Sequence, residues 1–372
     1  MKISKKDALM WFRFFAELPE DEPLMPHQQE LAWAVISQIE TAVDARHKEL
    51  MAQIPDLHTL GGYFVGDPAK FSKGCASCLT GTGLSAIRRT NKCNIRCPFC
   101  YNYGELDCQE TIGEGLWEIG GTYFRVEDID LLLSTSNRPT GVSYVYLEPF
   151  MEIELYPAII RKFRAAGIHQ HMYTNGTLCT EENLRALGEA GLDELRFNLG
   201  ATSCADNVIQ SIATAKKYIP TVAIETPMTP DFYEHFQQKK DAILATGLDF
   251  INCAELHLNP NNLPNYIGTP MYMTRRGYVS PIWSREITFR LMRQCAVEHW
   301  GIVVHDCSNH TKFARDLNLR AKEGGWFGAS SYHSEFDQIP FEAFLPTLED
   351  SNFRFLEEEP LPKGYRPGDI VL

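Results

Sequence analysis

The sequence lacks the excess of positive charge that binding to a nucleic-acid backbone requires. Its 35 lysine and arginine residues are outnumbered by 48 aspartate and glutamate residues, which gives a formal net charge of -13. Proteins whose main activity is phosphate-backbone binding carry a basic face. The composition therefore argues against nucleic acid as the main partner, although a local basic groove stays open.

Long apolar runs are missing as well. No stretch reaches the roughly 18 consecutive apolar residues of a membrane span. An early apolar run at residues 8–12 is interrupted by Arg13, and no small-residue cleavage site follows it. We therefore predict a soluble protein with no membrane partner.

Cysteine is too sparse for a disulfide framework. The eleven cysteines in 372 residues are also odd in number, which fits reduced thiols or metal ligands and predicts a reducing cytoplasm.

Three of the cysteines are concentrated in Cys93-Asn94-Ile95-Arg96-Cys97-Pro98-Phe99-Cys100, directly after a predicted strand. Iron-sulfur clusters normally take four thiolates, so three cysteines would leave one iron open to another ligand.

This Cys-x3-Cys-x2-Cys stretch resembles the signature loop of the radical S-adenosylmethionine (SAM) superfamily, including the aromatic Phe99 before the third cysteine. The resemblance implies that Cys93, Cys97 and Cys100 hold a catalytic 4Fe-4S cluster, that SAM chelates the open iron, and that Phe99 packs near the adenine. It also implies reductive cleavage of SAM to a 5'-deoxyadenosyl radical that abstracts hydrogen from a substrate carbon. A structural zinc loop and scattered core cysteines are the alternatives, but zinc motifs usually pair two Cys-x2-Cys units or add histidines.

From residue 84 onward, strand-like and helix-like segments alternate strictly, which predicts βα units around a parallel sheet. We predict an α/β fold, a partial TIM-like (β/α)6 radical SAM barrel, over residues 84–306. Residues 1–83 are predicted as an N-terminal helical extension with a Cys-x2-Cys segment, and residues 307–372 as a small appendage. The predicted strands are 84–90, 142–147, 169–173, 194–199, 221–226, 250–256 and 302–305. The predicted helices are 129–133, 155–166, 181–190, 207–218, 232–246 and 285–300.

In such barrels, functional residues gather at the C-terminal ends of the strands. The second predicted strand ends in Tyr146-Leu147-Glu148-Pro149, where the family usually has Gly-Gly-Glu-Pro. By this resemblance Glu148 accepts hydrogen bonds from the SAM ammonium group. The third strand ends in Thr-Asn-Gly, and the resemblance assigns Asn175 to SAM positioning.

Arg196 and Asn198 share one face at the end of the fourth predicted strand. The resemblance implies that Asn198 contacts the SAM carboxylate or ribose. The fork of Arg196 would also suit a carboxylate, with an external ion pair as the alternative.

A second cysteine pair, Cys75 and Cys78, precedes the cluster loop. Such a pair can ligate zinc or iron or act as a redox couple, but it is only half of a metal site. Cys307, flanked by His305 and His310, offers further ligands. We therefore consider an auxiliary metal or cluster at Cys75, Cys78 and Cys307, against structural or substrate-lining thiols.

The sequence thus predicts a radical SAM enzyme nearest in style to pyruvate formate-lyase activating enzymes, with flavodoxin or ferredoxin as reductant. Its substrate would be a protein, a peptide or a small molecule. One alternative is a peptide-modifying or small-molecule biosynthetic radical SAM enzyme with an auxiliary metal site. Another is a non-catalytic iron-sulfur scaffold, which does not account for Glu148 or Asn175. The proline-rich connection at 259–283 is predicted as a lid with substrate contacts.

Overall fold

The structure, a computed structural model, describes residues 2–19, 22–60, 62–79, 84–90, 92–102, 112–119, 122–134, 138–145, 147–274, 277–311 and 339–356. In this part of the chain the helices are α1 (Lys5–Ala16), α2 (Pro26–Met51), α3 (Lys73–Leu79), α4 (Ile129–Leu133), α5 (Tyr156–Ala165), α6 (Glu181–Ala190), α7 (Asp206–Ala215), α8 (Pro230–Leu244), α9 (Ile282–Glu298) and α10 (Leu345–Glu349). The strands are β1 (His58–Thr59), β2 (Tyr63–Val65), β3 (Leu84–Arg88), β4 (Trp117–Ile119), β5 (Thr122–Phe124), β6 (Gly141–Tyr144), β7 (His169–Thr174), β8 (Glu194–Phe197), β9 (Thr221–Pro227), β10 (Phe250–Ala254), β11 (Met271–Met273), β12 (Val279–Pro281) and β13 (Val303–Cys307).

Seven parallel strands form the centre of the sheet, which confirms the predicted α/β fold. Hydrogen-bonded neighbours follow the order β13-β10-β9-β8-β7-β6-β3, so strands that follow one another along the chain pair in space. This is the arrangement that repeated βα units produce. Two antiparallel additions were not predicted: β2 pairs with β13 at one edge, and the β4–β5 hairpin extends β3 at the other.

The outer face of the sheet and the helices that cover it form the main hydrophobic core. Strand side chains that alternate toward this face, such as Met172, Phe197 and Ile251, are fully buried there. Amphipathic helices supply the other wall, for example through Ile159 and Phe163 of α5. Each such side chain contributes about 1.5–3 kcal/mol of burial free energy. The core therefore holds the strand ends, and the residues on them, in fixed relative positions.

The inner face of the sheet packs against the short helix α3. Cys75 of α3 is buried among Ala223, Phe250 and Val303. A Cβ at Gly74 would lie 2.6 Å from Nδ1 of a strand histidine, so only glycine allows this approach. The Cys-x2-Cys segment is therefore helical and lies inside the curve of the sheet.

A second hydrophobic core joins the N-terminal helices to the segment after residue 339. The predicted N-terminal helical extension begins with two helices, α1 and α2, and α2 begins at Pro26. Phe12 of α1 packs edge-on against Phe341 and Phe344, with ring centroids 5.3 and 6.1 Å apart. The predicted domain boundaries stay a prediction, and residues 312–338 and 357–372 of the appendage lie outside the described residues. Among the described helices, none is both long and apolar enough to cross a bilayer.

Candidate active site

The three cysteines of the cluster loop lie together just beyond the C-terminal end of β3. Each is half-buried, and all are free thiols. Burial, together with the nearby Cys100 and Cys93, raises the pKa of Cys97 to about 12. Thiolates so close together are unfavourable unless a cation neutralises them, and metal binding requires the thiolate form. The donor set therefore fits a bound iron-sulfur cluster, for which thiolates are the usual ligands.

The first half of the cluster loop is attached to the ends of neighbouring strands. The backbone N–H of Glu148 donates to the Lys92 carbonyl at 3.0 Å. The side chain of Asn175 donates to Asn94 Oδ1 at 2.9 Å, and its Nδ2 lies 4.0 Å from Cys93 Sγ. Glu148 and Asn175 were both predicted from sequence as site residues, and the structure brings both to the cluster loop.

Glu148 organises this junction through a carboxylate that is fully buried. It accepts hydrogen bonds from Thr174 Oγ1 at 2.8 Å and from the backbone N–H groups of Asn175 and Phe150 at 2.6 and 3.1 Å. Burial raises the pKa of Glu148, while these three donors act to lower it. The carboxylate therefore joins the ends of β6 and β7 directly beneath the cluster loop.

Leu147 keeps a glycine-like backbone at the position where the resemblance leads us to expect glycine. Its φ of 50° is left-handed, a conformation that costs a non-glycine residue about 1–2 kcal/mol. The departure from Gly-Gly-Glu-Pro has therefore changed the side chain here but not the glycine-like conformation. Tyr146, the other departure, lies outside the described residues.

Asn198 lies at the end of β8, as predicted. Its Oδ1 accepts hydrogen bonds from Thr226 Oγ1 at 2.7 Å and from the Ala201 N–H at 3.1 Å, and its own N–H donates to the Thr174 carbonyl at 2.8 Å. Within the described part of the chain its Nδ2 donor has no partner. Asn198 therefore presents a fixed amide N–H group that a ligand could accept from.

Arg196 occupies a different place from the one predicted. It lies inside the sheet, with a side chain that is 3% exposed, and ion-pairs with Glu194 and Glu225. All five of its N–H donors are directed at side chains of the barrel interior, namely Glu194, Glu225, Tyr173, Ser72 and Cys75. Because no donor is left over, we no longer assign Arg196 to the SAM carboxylate.

Phe99 is 9% exposed and belongs to the second hydrophobic core, with Leu256, Leu258 and Leu263. These residues follow β10, at the opposite side of the sheet from Glu148. Sequence reasoning missed the asparagines of this connection, which contact the backbone of the cluster loop. Their signal in the sequence was Asn-Pro-Asn-Asn-Leu-Pro-Asn at 259–265, directly after a predicted strand.

An auxiliary metal site at Cys75, Cys78 and Cys307 stays a prediction. Among the residues that the structure describes, no three His, Cys, Asp or Glu side chains are grouped tightly enough to hold a single metal ion, and this holds for Cys93, Cys97 and Cys100 as well. Cys75 instead accepts a hydrogen bond from Arg196 at 3.4 Å, and burial raises the pKa of its thiol well above the ordinary value. It is a buried neutral thiol of the barrel interior.

Comparison with known proteins agrees with this geometry. Residues 87–241 match the family described as the Radical SAM superfamily. The chain is 26% identical over 200 residues to a protein of Methanocaldococcus jannaschii named as a glycyl-radical enzyme activating enzyme, covering 52% of each chain. It is 23% identical over 184 residues to a tungsten-containing aldehyde ferredoxin oxidoreductase cofactor-modifying protein of Pyrococcus furiosus, covering 43% of this chain and 48% of the relative.

A third relative is the PqqA peptide cyclase of Methylocella silvestris, which is 26% identical over 125 residues, or 32% of this chain and 30% of the relative. The chain thus spans about half of the length of the first two relatives and less of the third. Residues 87–241, which match the family, contain the cluster loop and the ends of β6, β7 and β8, where Glu148, Asn175 and Asn198 lie.

Proposed function

We propose that this chain, of which residues 87–241 match the Radical SAM superfamily, is a radical SAM enzyme of the activating type, which removes a hydrogen atom from a carbon of a protein substrate. When bound, the 4Fe-4S cluster and SAM supply the reductive cleavage that yields a 5'-deoxyadenosyl radical. The protein supplies binding, orientation and protection from water. The observation that carries the proposal is the attachment of Cys93 and its loop to Glu148 and Asn175 at adjacent strand ends.

In this proposal Cys93, Cys97 and Cys100 hold the cluster. Asn175 fixes the loop beside Cys93, and Asn198 offers its free amide donor to the SAM carboxylate or ribose. Glu148 receives the ammonium group, a charge-assisted contact, while its remaining bonds keep the strand ends in register. Each role uses a side chain whose other contacts already hold it still.

The electron would come from a flavodoxin or ferredoxin. Lys92 and Arg96 lie on the exposed part of the cluster loop, and the Lys92 side chain is 47% exposed. An acidic reductant would be attracted to these two cations, since opposite charges accelerate docking. We also propose a reducing cytoplasm as the compartment, because every cysteine in the described part of the chain is a free thiol.

The relatives favour two substrate classes. The activating-enzyme relative supports a glycyl-radical protein as substrate, and the peptide cyclase and cofactor-modifying relatives support a peptide or small-molecule substrate. A purified candidate protein that gains a stable organic radical signal in electron paramagnetic resonance (EPR) would support the first class. A changed peptide mass without such a signal would support the second.

The central experiment is anaerobic reconstitution followed by reduction in the presence of SAM. We expect iron binding and formation of 5'-deoxyadenosine, both lost in Cys93→Ser and retained in Cys295→Ser. Cys295 is a matched control, since it is a buried thiol of α9, outside the cluster loop, and its Sγ donates to the Ile302 carbonyl at 3.6 Å. Iron binding without 5'-deoxyadenosine under several reductants would favour the scaffold alternative and refute the proposal.

A further inference from the structure

The connection after β10 contacts the second half of the cluster loop through four asparagine side chains. Asn261 donates to the Tyr101 carbonyl at 3.4 Å, and the other three, Asn259, Asn262 and Asn265, are called the asparagine clamp. Each donates a side-chain N–H to a backbone carbonyl of the cluster loop. The bonds are Asn259 to Tyr101 at 2.9 Å, Asn262 to Phe99 at 3.2 Å and Asn265 to Pro98 at 2.9 Å. Three consecutive donors of this kind fix the path of the loop on both sides of Cys100.

The clamp is itself rigid, because its amide oxygens build the turn that carries it. Asn259 Oδ1 accepts from the N–H groups of Asn261 and Asn262 at 3.1 and 3.2 Å, and Asn262 Oδ1 accepts from the Asn259 N–H at 2.9 Å. Asn262 is fully buried and Asn259 is 6% exposed. In both residues the oxygen holds the turn and the nitrogen reaches the cluster loop, and the Asn262 nitrogen also donates to the His257 carbonyl at 3.1 Å.

The cluster loop is thus held from two sides of the sheet. Glu148 and Asn175 hold the half that contains Cys93, whereas the clamp holds the half that contains Cys97 and Cys100. Phe99 adds apolar packing on the clamp side. The spacing between the first thiol and the other two therefore depends on two elements far apart in the chain.

We propose that the clamp residues are positioning residues for the cluster, which set its reduction potential and its response to SAM by fixing Cys97 and Cys100 relative to Cys93. This inference rests on the proposed cofactor chemistry, but it assigns a role that the signature motif does not contain. Ligand geometry and surrounding hydrogen bonds are known levers on cluster potential. A loop free to shift would hold the cluster less uniformly.

The test uses Asn259→Asp and Asn262→Asp in the full chain. Aspartate keeps the oxygens that build the turn, but it removes the N–H donor and sets a carboxylate oxygen against a carbonyl oxygen. Asn262→Asp also removes the bond to the His257 carbonyl, whereas Asn259→Asp removes only the bond to the cluster loop. Asn207→Asp makes the same chemical change on the exposed start of α7 and is the matched control. The reconstituted proteins are compared by iron content, by EPR of the reduced cluster with and without SAM, and by redox titration.

We expect the SAM concentration that half-saturates the EPR change to rise about tenfold in each clamp variant, which corresponds to about 1.4 kcal/mol. The midpoint potential should also shift, whereas Asn207→Asp should match wild type in both measurements. Clamp variants with full iron content, the wild-type half-saturating SAM concentration and the wild-type midpoint potential would overturn the proposal. A wild-type protein that binds no cluster would instead count against the proposed function, so the two failures are distinguishable.

Hydrogen exchange of the wild-type protein gives a second test that does not depend on folding of the variants. If the clamp acts on the cluster loop, amides in 95–102 and in 256–266 should gain protection together when the cluster is loaded. Protection confined to 95–102 would overturn the proposal.

The third clamp residue gives a graded test. Asn265 is exposed, and Asn265→Asp leaves the buried turn unchanged, so it should give a smaller change in the SAM-dependent EPR signal, in the same direction.

Discussion

Replacing Arg196 by methionine should destabilise the barrel interior without weakening SAM binding. The Arg196 side chain is 3% exposed, and its partners Glu194 and Glu225 are 1% and 17% exposed. Methionine keeps much of the apolar stem but removes the positive charge and all five donors. Breaking a buried pair by removing one partner costs about 3–5 kcal/mol, because the other charge is left uncompensated. We expect a loss in that range at pH 7.

The pH dependence of this loss gives the reasoning a sharper test. Burial acts to raise the pKa of Glu194, but Arg196, with contacts from His169, His171 and Ser72, holds it well below the ordinary value. In the wild-type protein the ionised Glu194 therefore stabilises the fold at every pH above its pKa in the unfolded chain, near 4.5. This stabilisation is lost only as the pH falls toward the lower pKa of Glu194 in the folded protein. Without Arg196, burial should raise the folded pKa above 4.5. The variant should then become more stable as the pH falls from 7 toward 5, and its deficit should shrink.

Urea unfolding of the apo-proteins at pH 7 and pH 5, under anaerobic conditions, measures both effects. Arg290→Met on the exposed face of α9 is the matched control and should leave the unfolding midpoint unchanged. Adding Glu194→Gln to Arg196→Met should recover part of the loss, since it removes the uncompensated charge. A deficit below about 1 kcal/mol, or one independent of pH, would refute the reasoning. A tenfold loss of SAM affinity in the loaded variant would restore the role that the fork geometry of Arg196 predicted.

Three further predictions concern the strand ends and the thiols. Thr226→Val should lower the free energy of unfolding by about 0.5–1.5 kcal/mol and weaken SAM binding, because Asn198 loses the hydroxyl that orients it. Thr226→Ser keeps the hydroxyl and should match wild type, so equal SAM titrations for the two variants would contradict this. Leu147→Gly should be more stable to urea than Leu147→Ala by about 1 kcal/mol, since only glycine relieves the left-handed backbone; the opposite order would be contrary to the φ of 50°. In the apo-protein, alkylation of Cys97 followed by mass spectrometry should accelerate about tenfold per pH unit from pH 7 to 10, because its pKa is about 12; a plateau near pH 9 would show an ordinary thiol.

Most helices and strands of the fold could be predicted from the local sequence pattern. The helices at Ile129–Leu133 and Glu181–Ala190 have the bounds that the sequence predicted, and each of the seven parallel strands overlaps its predicted range. These elements are set by periodicity and by residues that end helices, such as the left-handed Gly191. The pairs β1–β2 and β4–β5 escaped prediction because strands of two or three residues are too short to show a period.

Glu148, Asn175 and Asn198 lie at neighbouring strand ends, as the strand-end rule predicted, whereas Arg196 lies inside the sheet. Alternation correctly put Arg196 and Asn198 on the same face of β8, yet it could not say that Arg196 lies one layer deeper. That depth is set by Ser72 and Cys75 of the segment leading into and forming α3, more than a hundred residues earlier in the chain. The asparagine clamp escaped for the same reason, since its bonds to 98–101 join residues about 160 positions apart.

The edge-on packing of Phe12 on Phe341 and Phe344 has a consequence for how the chain can be divided. These rings pack in the second hydrophobic core, which also contains Phe99 and Leu263. A fragment of residues 84–306 would contain the cluster-loop cysteines and most of the strands. It would, however, expose the apolar side chains that α1 and α2 cover in the full chain, and such a surface is prone to self-association. We therefore expect that a fragment of residues 84–306 does not fold on its own, because the N-terminal helices share the hydrophobic core that contains Phe99 of the cluster loop.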